Sequence, residues 1–242
     1  MAVGKTAQAK KIDGLLDKAQ RELAGGRVFD AQTLAAQALE ACFLELDYER
    51  MGRGVPVLAA ARAQRREAAL KAGVAPDPGP DLAAGGLSAG CYLVRPPRVG
   101  VDGRALREAG DLAEVPVLVV VREPTTAQGL WPIVAIGPVT IRTRVDPPKG
   151  GGTRDDLGVA PPVSWFRSAI DALTETALAQ VRAEAAAAAR VEHLYLRVQA
   201  HPDSDALHAA LGEACAQAAR EPRAAPRPRL PNFLEGEDDE LG

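Results

Sequence analysis

Aromatic residues are scarce, at 4% of the 242-residue chain. A core built largely without rings gains little from each buried side chain and depends on close approach between its elements. Cysteine is limited to Cys42, Cys91 and Cys215. These are far apart and odd in number, which excludes a disulfide framework, and their apolar neighbours suit buried free thiols in a reducing compartment. No run approaches the roughly 18 consecutive apolar residues of a membrane span, so no membrane partner is expected. The start, Met1-Ala2-Val3-Gly4-Lys5-Thr6, has no apolar h-region and leads into an amphipathic stretch, so a secretory signal is not expected either. An excess of positive charge is also missing: 29 Lys and Arg against 32 Asp and Glu leave a formal charge of −3. That balance argues against a nucleic-acid partner. The resulting expectation is a cytoplasmic protein, and 47% hydrophobic residues suffice for a substantial core.

Small apolar residues are plentiful and regularly placed. Ile12, Leu15, Leu16, Ala19 and Leu23 line one helical face, Gly25-Gly26 permits a stop, and Phe29 to Leu39 carries small residues at three- and four-residue spacing. This predicts a helical hairpin from Ile12 to about Leu46. A third helix is expected from about Asp47 and is convincing from Val57 to Lys71, with Pro56 kinking or restarting it.

The turn Gly26-Arg27-Val28-Phe29-Asp30-Ala31, followed by Ala38, with Ala19 as the small residue of the preceding helix, resembles a tetratricopeptide-type repeat. The resemblance covers one hairpin and implies a TPR-like helical fold with a protein-binding role.

Composition divides the chain into a helical segment (9–73), a Pro/Gly linker (74–89), a small β-α-β-β domain (90–147), a Gly/Pro loop (148–161), a C-terminal helical segment (162–220) and a disordered tail (221–242). Within the sheet domain, Cys91–Arg95 reads as a strand, Asp102 as the cap of a helix to about Leu112, and Val115–Val121 as a strand covered on both faces. Strand, helix, strand implies a right-handed parallel crossover. Trp131–Ile136 and Val139–Val145 follow as two more strands, the second alternating as an edge strand does. Ser164 is expected to cap a long helix reaching Leu194, with the alanine run 185–189 favouring helix and 183–192 the place for any break. Leu207, Leu211, Cys215 and Ala218 form the inner face of a final helix. The fold class is therefore α+β and predominantly helical.

Chemical motifs are weak. Gly4-Lys5-Thr6 imitates a P-loop end but lacks its upstream glycine and strand. Gly150-Gly151-Gly152-Thr153 reads as a mobile loop. His201-x-Asp203-x-Asp205-x-x-His208 holds metal-capable groups split by Pro202, and Asp203 and Asp205 read as cap and first-turn acids, so no metal and no cofactor are expected. Ligand-binding candidates are Arg95, Arg98, Arg122, Glu123, Thr125 and Thr126, at the carboxyl ends of the parallel strands, where open α/β sheets hold ligands. Partner-binding candidates are Arg62, Arg65 and Arg66, read by default as a solvated basic strip, and Phe233 and Leu234 in the tail. With no nucleophile and base in view, the leading expectation is a non-enzymatic adaptor for an unidentified protein partner. A small anionic-ligand or nucleotide sensor is the alternative, and homo-oligomeric assembly is a third reading.

Overall fold

The first three helices pack because their small residues let their axes come close. The computed structural model describes residues 2–76, 79, 86–148 and 160–221, with side chains from residue 6 onward. α1 (Ala2–Ala24), α2 (Val28–Glu45) and α3 (Tyr48–Ala72) follow one another through two tight turns. Gly26 makes the first turn at φ +78, a conformation that glycine adopts without steric cost. Asp47 opens α3, its carboxylate accepting from the Arg50 backbone N–H at 3.2 Å. Ile12, Leu16 and Ala19 of α1 and Ala31, Ala35, Ala38 and Leu39 of α2 are buried. At Gly54 a methyl group would lie 2.5 Å from Leu39 Cδ1 and 2.8 Å from Leu16 Cδ2, so this glycine sets the distance between α3 and the hairpin.

Pro56 does not restart α3, which runs unbroken through it. The proline is exposed, and on the solvent side of a helix the carbonyl it leaves unpaired can turn to water.

β1 (Gly90–Val94) pairs in parallel with β2 (Val117–Arg122), and α4 (Gly100–Leu112) connects them. β3 (Trp131–Ile136) and β4 (Thr140–Val145) add on antiparallel, giving the order β1-β2-β3-β4. β2 is buried along its whole length. Val117, Val119 and Val121 face α4, which meets them through Gly103 and Gly110, while Leu118 and Val120 join the core under the other helices. The cap of α4 differs from expectation. Val99 occupies the N-cap, and Asp102 sits three residues in, its Oδ2 accepting from the Val99 backbone N–H at 2.6 Å.

The long helix expected from Ser164 is two helices, α5 (Val163–Ala179) and α6 (Ala187–Ala200), followed by α7 (Asp205–Ala218). Propensity favours helix through the alanine run, but Leu173 and Ala177 of α5 and Ala187, Val191 and Leu194 of α6 all reach one core. A straight helix, rising about 1.5 Å per residue, would carry the later residues away from it. Ser204, not Asp203, caps α7, its Oγ accepting from the Leu207 N–H at 3.2 Å.

The amino- and carboxyl-terminal helices share a core with one face of the sheet. α3 lies against α7, and the Phe43 ring of α2 meets the Tyr195 ring of α6 at 4.5 Å between centroids. The fold is α+β and predominantly helical. Among the described residues no helix is long and apolar enough to cross a membrane. The glycine run 150–152 and the tail residues Phe233 and Leu234 lie outside the described residues.

Candidate anion-binding site

On α3, Arg62, Arg65 and Arg66 stand at i, i+3 and i+4 and therefore share a face. The sequence suggests a solvated strip, but this face is turned against other elements: Arg65 meets α2 and α4, while Arg62 and Arg66 meet α6, α7 and the junction between them. Arg66 forks onto Asp205 at 2.9 and 2.8 Å and also donates to the Asp203 carbonyl at 2.8 Å. Arg65 is buried over the Phe29 ring, 4.6 Å from its centroid, and donates to Gln32 and Asp111. Gln32 closes that triad by donating to Asp111 at 3.2 Å. Arg62 differs. Its Nη1 donates to the Val198 carbonyl at 3.2 Å and to His208 Nε2 at 3.1 Å, and it has no carboxylate partner among the described residues.

α4 supplies the facing wall. Its inner face, Gly103, Leu106 and Gly110, packs on the sheet, which leaves Arg104, Arg107, Glu108 and Asp111 along its polar side. Arg104 pairs with Glu108 at 2.8 Å, and Asp111 is taken by Arg65. Arg107 donates through Nη2 to the Ile136 carbonyl at 3.1 Å and, like Arg62, has no carboxylate partner among the described residues.

Between these walls lies a cavity of about 340 Å³, also bordered by the start of β2, the β3–β4 turn and, at the α6–α7 junction, Pro202 and Asp203. Two of its arginines are neutralised in ion pairs, leaving Arg62 and Arg107 against Asp203. Burial pulls the Arg62 guanidinium down to about 10 and lowers that of Arg107, while burial raises the Asp203 carboxyl despite the surrounding guanidiniums. Both arginines remain protonated at neutral pH, yet each is half-buried and partly stripped of water, with no carboxylate partner among the described residues. An anion between them would restore that loss through charge-assisted hydrogen bonds.

The residues at the carboxyl ends of β1 and β2 stand at the other end of the sheet. Arg122 is 1% exposed, its guanidinium 4.5 Å from the Trp131 ring centroid and bonded to Thr125 Oγ1 at 2.8 Å. Glu123 is forked by Arg142 of β4 at 2.7 Å in both contacts. Thr126 closes the β2–β3 turn, its Oγ1 accepting from the Leu130 N–H at 3.1 Å. Arg98 donates to the Gly79 carbonyl at 3.0 Å, and Arg95 is half-buried nearby, its carbonyl accepting from the Arg98 N–H at 3.1 Å. The structure thus brings Arg122 and Thr125 together and holds this set in local contacts. Arg62 and Arg65, read from the sequence as a partner surface, instead line the cavity with Arg107 and Asp203, which sequence reasoning did not select.

Among the described residues no group of three or more His, Cys, Asp and Glu side chains is arranged to hold a metal. All three cysteines are buried and free. No family model matches the chain, and no curated protein or solved structure matches it.

Proposed function

We propose that the protein binds a small anionic metabolite in the cavity between α3, α4 and the α6–α7 junction, acting as a receptor or sensor and not as a catalyst. The carrying observation is that Arg62 and Arg107 wall one cavity of about 340 Å³, both half-buried and neither paired with a carboxylate among the described residues. That size is at the small end of ligand pockets, roughly 300–1,000 Å³. Binding is preferred to nucleophilic chemistry because His208 and the three thiols are engaged or inert. Both ring nitrogens of His208 are hydrogen-bonded, and burial holds the thiols of Cys42, Cys91 and Cys215 at about 12, 11 and 12.

Calorimetric titration of the full chain with inorganic phosphate, phosphorylated alcohols and dicarboxylates tests the reading. A true ligand at one hundred times its dissociation constant adds about 2.7 kcal/mol to stability. Arg107→Gln and Arg62→Met should each weaken binding by about tenfold or more, the weight of a charge-assisted hydrogen bond. Silence from every anion, with the chain folded, removes the proposal.

A protein-partner reading is favoured by a separate observation. Val99, Val101 and Leu112, at the two ends of α4, are 55%, 59% and 90% exposed. The small residues of the helical hairpin give it less support, since Ala31, Ala35 and Ala38 are wholly buried within the fold.

A further inference from the structure

Asp203 has a side chain that the fold does not use. Ser204 caps α7, and Arg66 takes the Asp203 backbone carbonyl, not its carboxylate. Among the described residues the carboxylate has no hydrogen bond and no ion pair, although it borders the cavity with Arg62 and Arg107. Asp203 is half-buried, so its carboxylate has lost part of its water without gaining a bonded partner, and a donor on a ligand would complete it. The guanidiniums of Arg62 and Arg107 are close enough to influence its charge but bond elsewhere, to Val198, His208 and Ile136.

We infer that the ligand is a small zwitterion of net charge −1, a doubly charged acid held by Arg62 and Arg107 with an ammonium group bonded to Asp203. The inference rests on the anion-binding reading and deepens it. Charge bookkeeping supports it. Arg65 with Asp111 and Arg104 with Glu108 are neutral pairs, so Arg62, Arg107 and Asp203 leave the cavity at +1. A dianion without an ammonium would overfill that charge and set its own oxygens against Asp203. A monoanion without one would balance the charge but still leave the aspartate unpartnered. An acid and an ammonium on one small molecule satisfy both arginines and Asp203 together. Aminoalkyl phosphates and α-amino dicarboxylates both carry this chemistry.

Two isosteric pairs separate the ammonium from the acid and the phosphate from the carboxylates. The full chain is titrated calorimetrically at neutral pH in phosphate-free buffer with O-phosphoethanolamine against propyl phosphate, and with L-glutamate against glutarate. The expected result is binding of the ammonium-bearing member about tenfold or more tightly in at least one pair, as one charge-assisted hydrogen bond allows. The pair that shows it identifies the acid. Asp203→Asn keeps the size of the side chain and leaves the Ser204 cap and the carbonyl bond to Arg66 in place, and thermal melting verifies that it folds. In this variant the preference should collapse to less than about threefold, and the plain anion should bind more tightly than it does to the wild type. Binding of the plain anions with no ammonium preference, or a preference that survives Asp203→Asn, overturns the inference and leaves anion binding standing. Absence of heat from all four compounds overturns both.

Discussion

His208 accepts, through Nε2, a hydrogen bond from Arg62 Nη1 at 3.1 Å, while its Nδ1 lies 2.7 Å from the Ser204 carbonyl. A guanidinium only donates and a carbonyl only accepts, so the ring is neutral and carries its proton on Nδ1. A second proton on Nε2 would face the Arg62 guanidinium. Burial first, then Arg62, holds the pKa of His208 down to about 4. His201, buried beneath α5 beside the Ile170 carbonyl, is pulled down to about 4 chiefly by burial, with Arg107 and Arg66 adding to it.

Stability should therefore fall on mild acidification. Both histidines titrate near 6.5 when unfolded and near 4 when folded, so between these values the unfolded chain binds protons that the folded chain refuses. The contribution is intact above about pH 6.5 and declines as the pH drops toward 4, by at most about 2.7 kcal/mol per pH unit with both groups lagging. Asp13, Glu67 and Asp205, held low by arginine partners, add loss in the same direction within the carboxylate range, and the raised acid of Asp203 opposes it. Urea midpoints measured from pH 7.5 to 4.5 give the slope. His208→Gln, which keeps an acceptor for Arg62, should roughly halve it, as removal of one of two equal titrations requires. An unchanged slope rules out this assignment.

Periodicity carried most of the secondary structure. The β-branched run around Val117–Val121 reads as a strand covered on both faces, and α4 and the helical body cover it. The inward residues Leu207, Leu211, Cys215 and Ala218 are legible from spacing alone. The turn between α5 and α6 is not, because alanine propensity is local and the need to return to the core is not. The cavity was hidden for a related reason. One-turn arginine spacing looks the same whether the face meets water or another element. The available signal was its repetition, at Arg62 and Arg65 on one helix and Arg104 and Arg107 on another, together with an aspartate beside a serine better suited to the cap.

Two glycines in helices should respond oppositely to added side chains. Gly54 sits where a Cβ would press on Leu39 and Leu16, both buried, so Gly54→Val should cost about 1–3 kcal/mol as an overpacked core does. Gly14, in the exposed part of α1, has nothing within 4 Å of its would-be Cβ. Gly14→Ala should add up to about 1 kcal/mol from helix propensity. Chemical unfolding of the two variants checks both signs. Equal tolerance at the two positions contradicts close packing of α3 onto the hairpin.

Arginine substitutions should separate folding from binding. Arg122 is enclosed, stacked on Trp131 and bonded to Thr125, so Arg122→Met should lose about 1–3 kcal/mol of stability, the sum of one cation–π contact and one charge-assisted hydrogen bond. Anion affinity should stay within about twofold, since Arg122 stands at the far end of β2 from the cavity and independent sites do not couple. Arg107→Gln should show the converse. It removes a guanidinium whose burial already lowers its pKa and whose one hydrogen bond among the described residues is to the Ile136 carbonyl, so melting should change little while affinity drops about tenfold. Paired melting curves and titrations of the two variants decide between the two ends of the sheet. Binding lost in Arg122→Met and retained in Arg107→Gln would place the ligand at the carboxyl ends of β1 and β2 and remove the cavity from consideration.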